Sequence, residues 1–159
     1  SLKPYTLDET DKYIEDLNRN LENAVPIRPV VDVGHACGQE YGVSGDDLLY
    51  EKWLERFGGA CRVIHLQQTR REKSDHSPFA SGYEGEIRIE VIVDAVRKSL
   101  SGAAESHWRR YLEPEKEIIL LLEQIPSTTQ TEEEILEELN ASYAYLRRVI
   151  PKEGLTILH

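Results

Sequence analysis

Three apolar runs in this chain each end in a side chain that binds divalent cations. They are Arg28-Pro29-Val30-Val31-Asp32-Val33-Gly34-His35, Cys61-Arg62-Val63-Ile64-His65-Leu66-Gln67 and Ile118-Ile119-Leu120-Leu121-Leu122-Glu123-Gln124. An unpaired carboxylate among valines is costly to bury, so Asp32 needs a cation or a buried arginine beside it. Glu123 follows five apolar residues, and glutamate is almost never fully buried unless paired. His65, between Ile64 and Leu66, would alone read as a satisfied core histidine. Carboxylate, imidazole and carboxylate at equivalent depths, with no Cys in register, instead form an oxygen and nitrogen donor set that suits Mn, Mg, Co or Zn. The expected metal ligands are therefore Asp32, His65 and Glu123. Such a site fits the rim of a parallel sheet or β/α barrel, where reactive groups come from the carboxyl ends of several strands.

Other residues extend the rim. His35 lies three residues after Asp32, and Asp32 capping its own loop with His35 bonding a carbonyl is the less favoured alternative to a metal-site pair. His76, with Arg70, Arg71 and Lys73 close in sequence, could receive an anionic substrate group, and a solvated basic loop explains the same residues equally well. Gln67 and Gln68 could place amides at the same edge. Trp53 and Trp108 read as packing. Glu132-Glu133-Glu134 complements a helix dipole and carries no assigned function. Gly34, Gly38, Gly42 and Gly45 do not have the G-x-G-x-x-G spacing of a dinucleotide site.

The elements that position these residues follow from pattern and punctuation. Thr6-Leu7-Asp8-Glu9 is a capping-box sequence, opening a helix with Leu7, Ile14, Leu17, Leu21 and Ala24 on one face and ending before Pro26. The first strand spans Arg28 to Val33 and is continuously apolar, as when both faces are covered. A glycine-rich loop follows, then a helix opened by Asp46 and Asp47, with Leu49, Trp53 and Phe57 inward and Gly58-Gly59 at its end. The second strand is Cys61 to Gln67, and a long polar loop runs from Gln68 to about Glu86. Helices are expected over Ile87–Leu100 and Ala103–Leu112, and a third strand over Glu117–Glu123. A second capping box, Thr131 to Glu134, starts a helix carrying Ile135, Leu139, Tyr143, Leu146 and Ile150, which Pro151 ends. This alternation gives an α/β fold with a parallel sheet, thin enough at three strands that a segment of something larger is expected.

Composition narrows the class. The chain has 159 residues, 40% hydrophobic content and a net charge of -10, which fits one soluble domain and opposes nucleic acid as a partner. No apolar run approaches the roughly 20 residues of a membrane helix, so no membrane partner and a cytoplasmic location are expected. Cys37 and Cys61 read as free thiols rather than a bridge. Methionine is absent even at position 1. Ser1 is therefore expected to be exposed by processing or to begin a segment.

Val31-Asp32-Val33-Gly34-His35-Ala36, Val63-Ile64-His65-Leu66-Gln67-Gln68-Thr69 and Leu122-Glu123-Gln124-Ile125-Pro126 resemble strands six, seven and eight of the xylose-isomerase-like (β/α)8 TIM barrels. These are the sugar isomerase and ketose 3-epimerase superfamily. The Gly38-to-Asp47 loop, with Gln67-Gln68-Thr69 and Ser74-Asp75-His76-Ser77-Pro78-Phe79, is similar to the erythrulose-phosphate 3-epimerase branch. The resemblance implies that residues 1–159 form the C-terminal part of such a barrel, with a missing N-terminal segment. It implies a metal-dependent sugar phosphate isomerase or epimerase, acting on a small phosphorylated ketose by proton abstraction and return through an enediolate. Asp32, His65 and Glu123 then correspond to three of four metal ligands, Glu123 and His35 to catalytic groups, and His35, Gln67, Arg71 and His76 to substrate contacts. The fourth ligand, a glutamate on strand five that serves the other face of the reacting carbon, would precede Ser1. Partners are expected to be a sugar or sugar phosphate, with a homo-oligomer or the missing segment completing the barrel. Two alternatives remain. An AP-endonuclease-like phosphodiesterase shares Asp-x-x-His but has a further Asp-x-His pair, where Asp75 and His76 here are adjacent. A non-catalytic barrel remnant would be a binding module.

Overall fold

The structure, a computed structural model, describes residues 6–20, 25–70, 72–104 and 106–157. Its elements in chain order are α1 (Leu7–Asn18), β1 (Val31–Asp32), α2 (Tyr50–Phe57), β2 (Val63–Leu66), α3 (Ile89–Ser101), β3 (Ile119–Leu122) and α4 (Glu132–Leu146). Short 3-10 turns lie between them, including the His35–Cys37, Gln39–Tyr41 and Gly45–Leu48 stretches after β1. The strands form one parallel sheet in the order β1-β2-β3. Among the described residues no helix is long and apolar enough to cross a membrane.

Register decides which side chains share a face. Asp32 pairs with His65, and His65 with Leu121, so these three point the same way and Glu123 follows two residues beyond Leu121. Val31, Ile64 and Leu120 point to the opposite face, together with Val33, Leu66 and Leu122. That second face holds the core: Val31, Val33, Ile64 and Leu66 are buried with Leu54 and Phe57 of α2 and Ile92, Val93 and Val96 of α3. The helices α2 and α3 pack on each other and are tied by Gly59 N–H donating to Ser99 Oγ at 2.9 Å. A Cβ on Gly59 would press on both Ser99 Oγ and Trp108 at 3.2 Å, which accounts for glycine there. Neither cysteine is in a disulfide, and both are buried.

Several elements differ from their sequence expectation. The strand predicted over Arg28–Val33 shortens to two residues, Val31–Asp32. Pro29 has no N–H to offer a ladder. The Arg28 guanidinium turns to Glu115 at 2.8 Å and to the Glu113 carbonyl at 3.0 Å, drawing the chain aside. Nor are both faces covered, since Val30, Ile119 and Leu121 remain about half exposed. Strands β2 and β3 are likewise trimmed from Cys61–Gln67 and Glu117–Glu123.

Asp46 and Asp47 do not open α2 but lie in the 3-10 turn before it. Asp47 is spent elsewhere, its Oδ1 accepting from Leu7 N–H at 2.7 Å and its carbonyl from Trp53 Nε1 at 3.0 Å. It therefore satisfies an orphan donor at the start of α1. Leu49 precedes α2, whose buried residues are Tyr50, Leu54 and Phe57. Thr6 caps α1 by accepting from Glu9 N–H, but Leu17 is exposed, and Leu21 and Ala24 lie outside the described residues. The Ala103–Leu112 helix reduces to a 3-10 turn at His107–Arg110, anchored by Trp108 Nε1 donating to the Arg56 carbonyl at 2.6 Å. Helix α4 has the reciprocal capping box at Thr131 and Glu134 but stops at Leu146 rather than Ile150. Beyond it, Arg148 and Val149 N–H groups bond three residues back, and the Arg147 guanidinium holds the Ile150 and Pro151 carbonyls.

Candidate metal centre

The shared face of the sheet brings Asp32, His65 and Glu123 to the carboxyl ends of three neighbouring strands. One ligand atom from each lies within 4.8 Å of the others. Two donors across a single ion, at about 2.0–2.3 Å each, would stand ~4.0–4.6 Å apart. The group is therefore near the size of a shared coordination sphere. His65 Nδ1 lies 2.5 Å from Glu123 Oε2, with the two side chains 29% and 36% exposed, so the group is reachable from solvent.

Asp32 is held tightly on one side only. Its Oδ1 accepts from Gly34 N–H at 2.8 Å, His35 N–H at 2.9 Å and Gln67 Nε2 at 2.8 Å. Its Oδ2 is buried and meets no donor, only the neighbouring Glu123 carboxylate. A buried lone pair left open is costly and is what a cation would satisfy. Burial, aided by the neighbouring Glu123 carboxylate, raises the Asp32 carboxyl above the usual carboxylate range against the pull of the His35 amide. Glu123 lies below that range, through its hydrogen bond to Asp32 and then its contact with His65. Two adjacent carboxylates of this kind hold together through a shared proton or a cation. The residues present thus fit a divalent cation by donor type, spacing and the open oxygen.

Around this group the predicted rim residues divide. His35 is exposed, its Nδ1 2.6 Å from Tyr41 Oη and its ring edge-on to that of His76 at 5.1 Å. His76 has a φ of 50°, an uncommon conformation for a residue with a Cβ, and its Nδ1 is buried without a partner. Strain of this sort clusters at functional sites. Gln67 is 1% exposed and turned inward, its amide taken by Asp32, Ser74 and His76. Gln68 is also turned from the rim, bonding Ile87 and closing the base of the loop. Arg71 lies outside the described residues. Arg70 and Lys73 are engaged by Asp75 at 3.4 Å and 3.1 Å. Burial opposes ionisation of Asp75, but hydrogen bonds from Arg70 and Lys73 outweigh it and lower its carboxyl. Tyr41 and Ser74 join the site although the sequence assigned them no role. Their signal was membership of the two resembling loops that follow Asp32 and His65.

A groove of about 570 Å³ adjoins Asp32, His35 and Tyr41 and runs along α1, with Tyr13, Ile14, Leu17, Ile27, Val30 and Trp53 among its walls. Its apolar lining suits packing against other apolar groups more than it suits sugar hydroxyls.

No protein-family model matches this chain, and no curated protein matches it in sequence. Its fold is similar to that in a crystal structure of a Rhodospirillum rubrum protein described as a "Putative Xylose isomerase", with a TM-score of 0.67 and 19% sequence identity. The match covers 93% of this chain and 43% of that one, so the chain spans under half the length of its neighbour. At that identity the likeness is one of fold: a mixed α/β chain matching part of a xylose isomerase-like TIM barrel.

Proposed function

We propose that this chain carries the metal-binding part of a sugar or sugar phosphate isomerase or epimerase, corresponding to strands six to eight of its barrel. The observation that carries the reading is the convergence of Asp32, His65 and Glu123 within 4.8 Å, with a buried Asp32 oxygen that meets no donor. Asp32, His65 and Glu123 would hold the cation, which supplies polarisation of adjacent carbonyl and hydroxyl oxygens of a ketose or aldose.

The protein's own groups divide the remaining work. Glu123 is the base: its carboxylate is partly exposed and fixed by His65 Nδ1, so it meets a carbon acid from one side. His35, exposed and steadied by Tyr41 Oη, faces the same rim and contacts a substrate hydroxyl. His76, at a positive φ, sets its ring edge-on against that of His35 and so borders the same rim. Among the described residues no further carboxylate joins the group. One base suffices to take a proton from one carbon and return it to the same face of its neighbour, as in aldose–ketose isomerisation. Epimerisation at a single carbon needs an acid on the opposite face, which another segment would contribute.

The test pairs cation binding with carbon-acid exchange. Titration with Mn²⁺ is expected to show one site that Asp32→Asn and His65→Ala weaken. With a barrel-completing segment present, the protein is expected to exchange deuterium from solvent into a small ketose phosphate such as erythrulose phosphate. Absence of stoichiometric Mn²⁺ binding, or binding indifferent to both substitutions, would overturn the reading.

A further inference from the structure

Gln67 joins two parts of the molecule through one buried amide. Its Nε2 donates to Asp32 Oδ1 at 2.8 Å. Its Oε1 accepts from His76 N–H at 2.8 Å and Ser74 Oγ at 2.9 Å, both in the loop beyond β2. At 1% exposure no water replaces these partners cheaply, and a buried amide left half satisfied costs more than the bond it lost. Movement of the loop and movement of the carboxylate are thereby linked. Together with the Gly34 and His35 amides, Gln67 occupies Asp32 Oδ1 and leaves Oδ2 as the oxygen open to a cation.

Gly34 completes the device. A Cβ at that position would lie 2.2 Å from Gln67 Cδ and 2.5 Å from its Oε1. Absence of a side chain at residue 34 is what lets the amide cross from one strand end to the next. The loop side is reinforced where Glu40 Oε1 accepts from Ser74 N–H at 2.9 Å, and where Gln68 and Ser77 exchange backbone bonds at 2.8 Å and 3.0 Å.

We propose that Gln67 is a positioning residue that sets the Asp32 carboxylate for a divalent cation and couples that cation to the order of the loop bearing Ser74 and His76. The proposal rests on the metal-centre reading above. It adds that occupancy of the centre and closure of the loop are one equilibrium.

Mn²⁺ is the probe, with Co²⁺ absorption reporting ligand geometry and tryptic cleavage after Arg70 and Lys73 reporting the loop. In the unsubstituted protein, saturating Mn²⁺ is expected to slow that cleavage. Gln67→Met, close in volume but without the amide, is expected to weaken Mn²⁺ binding by about 10- to 100-fold, the usual cost of losing a group that orients a ligand. It should also shift the Co²⁺ spectrum and remove the effect of Mn²⁺ on cleavage. Gly34→Ala should reproduce these changes by displacing the amide, and the double variant should be no worse than either single one. If Gln67→Met loses its native circular dichroism, Ser74→Ala carries the comparison: protection of the loop by Mn²⁺ should fall severalfold. Wild-type Mn²⁺ affinity and undiminished loop protection in the folded variants, with Asp32→Asn still abolishing binding, would overturn the positioning role and leave the centre standing. An unsubstituted protein that binds no Mn²⁺ would overturn both.

Discussion

Glu123 is asked to be both a ligand and a base, and those roles separate on substitution. Glu123→Gln keeps an oxygen donor but cannot accept a proton. It is expected to weaken cation binding moderately while lowering solvent deuterium exchange into a ketose phosphate by about 10² to 10⁴, the usual scale for a lost general base. Exchange at the unsubstituted rate, followed by proton NMR, would remove Glu123 from the chemistry. Asp32 carries the pH dependence. Because burial raises its carboxyl, a proton competes with a cation for Asp32 more strongly than for an ordinary carboxylate. Affinity for Mn²⁺ should therefore rise with pH through and above the ordinary carboxylate range and level off once Asp32 is ionised. Calorimetry in buffers of different ionisation enthalpy should detect release of that proton, and pH-independent affinity with no proton released would contradict this competition.

Among the elements, α4 depends most on its ends. Only Ser142 of its residues is buried, while Leu136, Leu139 and Tyr143 stay exposed. Its attachment runs through Phe79 N–H donating to Ser142 Oγ at 2.9 Å and the stacked rings of Phe79 and Tyr145 at 5.1 Å. Thr131→Ala, which removes the cap, is expected to cost about 1 kcal/mol and to speed amide hydrogen exchange in 132–146 by about fivefold. Unchanged exchange would mean packing, not the cap, sets its stability. The Thr131-to-Glu134 box was legible because every atom in it lies within four consecutive residues. The convergence of Asp32, His65 and Glu123 was legible because a charged or titratable group ending an apolar run is an anomaly visible locally. The two-residue length of β1 was hidden, as was the long-range pairing of Arg28 with Glu115 beside it. So was the role of Asp47, which bonds Leu7 from 40 residues away. The inward turn of Gln67 was hidden for the same reason: its partners come from two other segments.

For the molecule as a whole, the half-exposed Val30, Ile119 and Leu121 and the apolar groove along α1 place unpartnered surface at both sheet edges. A net charge of -10 opposes the meeting of two copies through that surface. Salt screens such repulsion while leaving apolar attraction in place. Self-association at micromolar concentration is therefore expected to strengthen between low salt and about 0.5 M NaCl. A scattering mass that falls or stays constant over that range would show that the exposed strands do not drive assembly. The in-register alignment of Asp32 with His65 has a consequence for time rather than for energy. The site closes only when residues 58 apart, His65 and Glu123, and residues 35 apart, Asp32 and Gln67, have all met. Contacts of such span carry a large loop-closure cost and are expected to form late in chain assembly. A cation bound there would find no purchase on the folding transition state and would act on the exit from the native basin alone. In stopped-flow measurements, saturating Mn²⁺ should lower the unfolding limb and leave the refolding limb where it stands in chelator, making the ion a brake on departure rather than a guide to arrival.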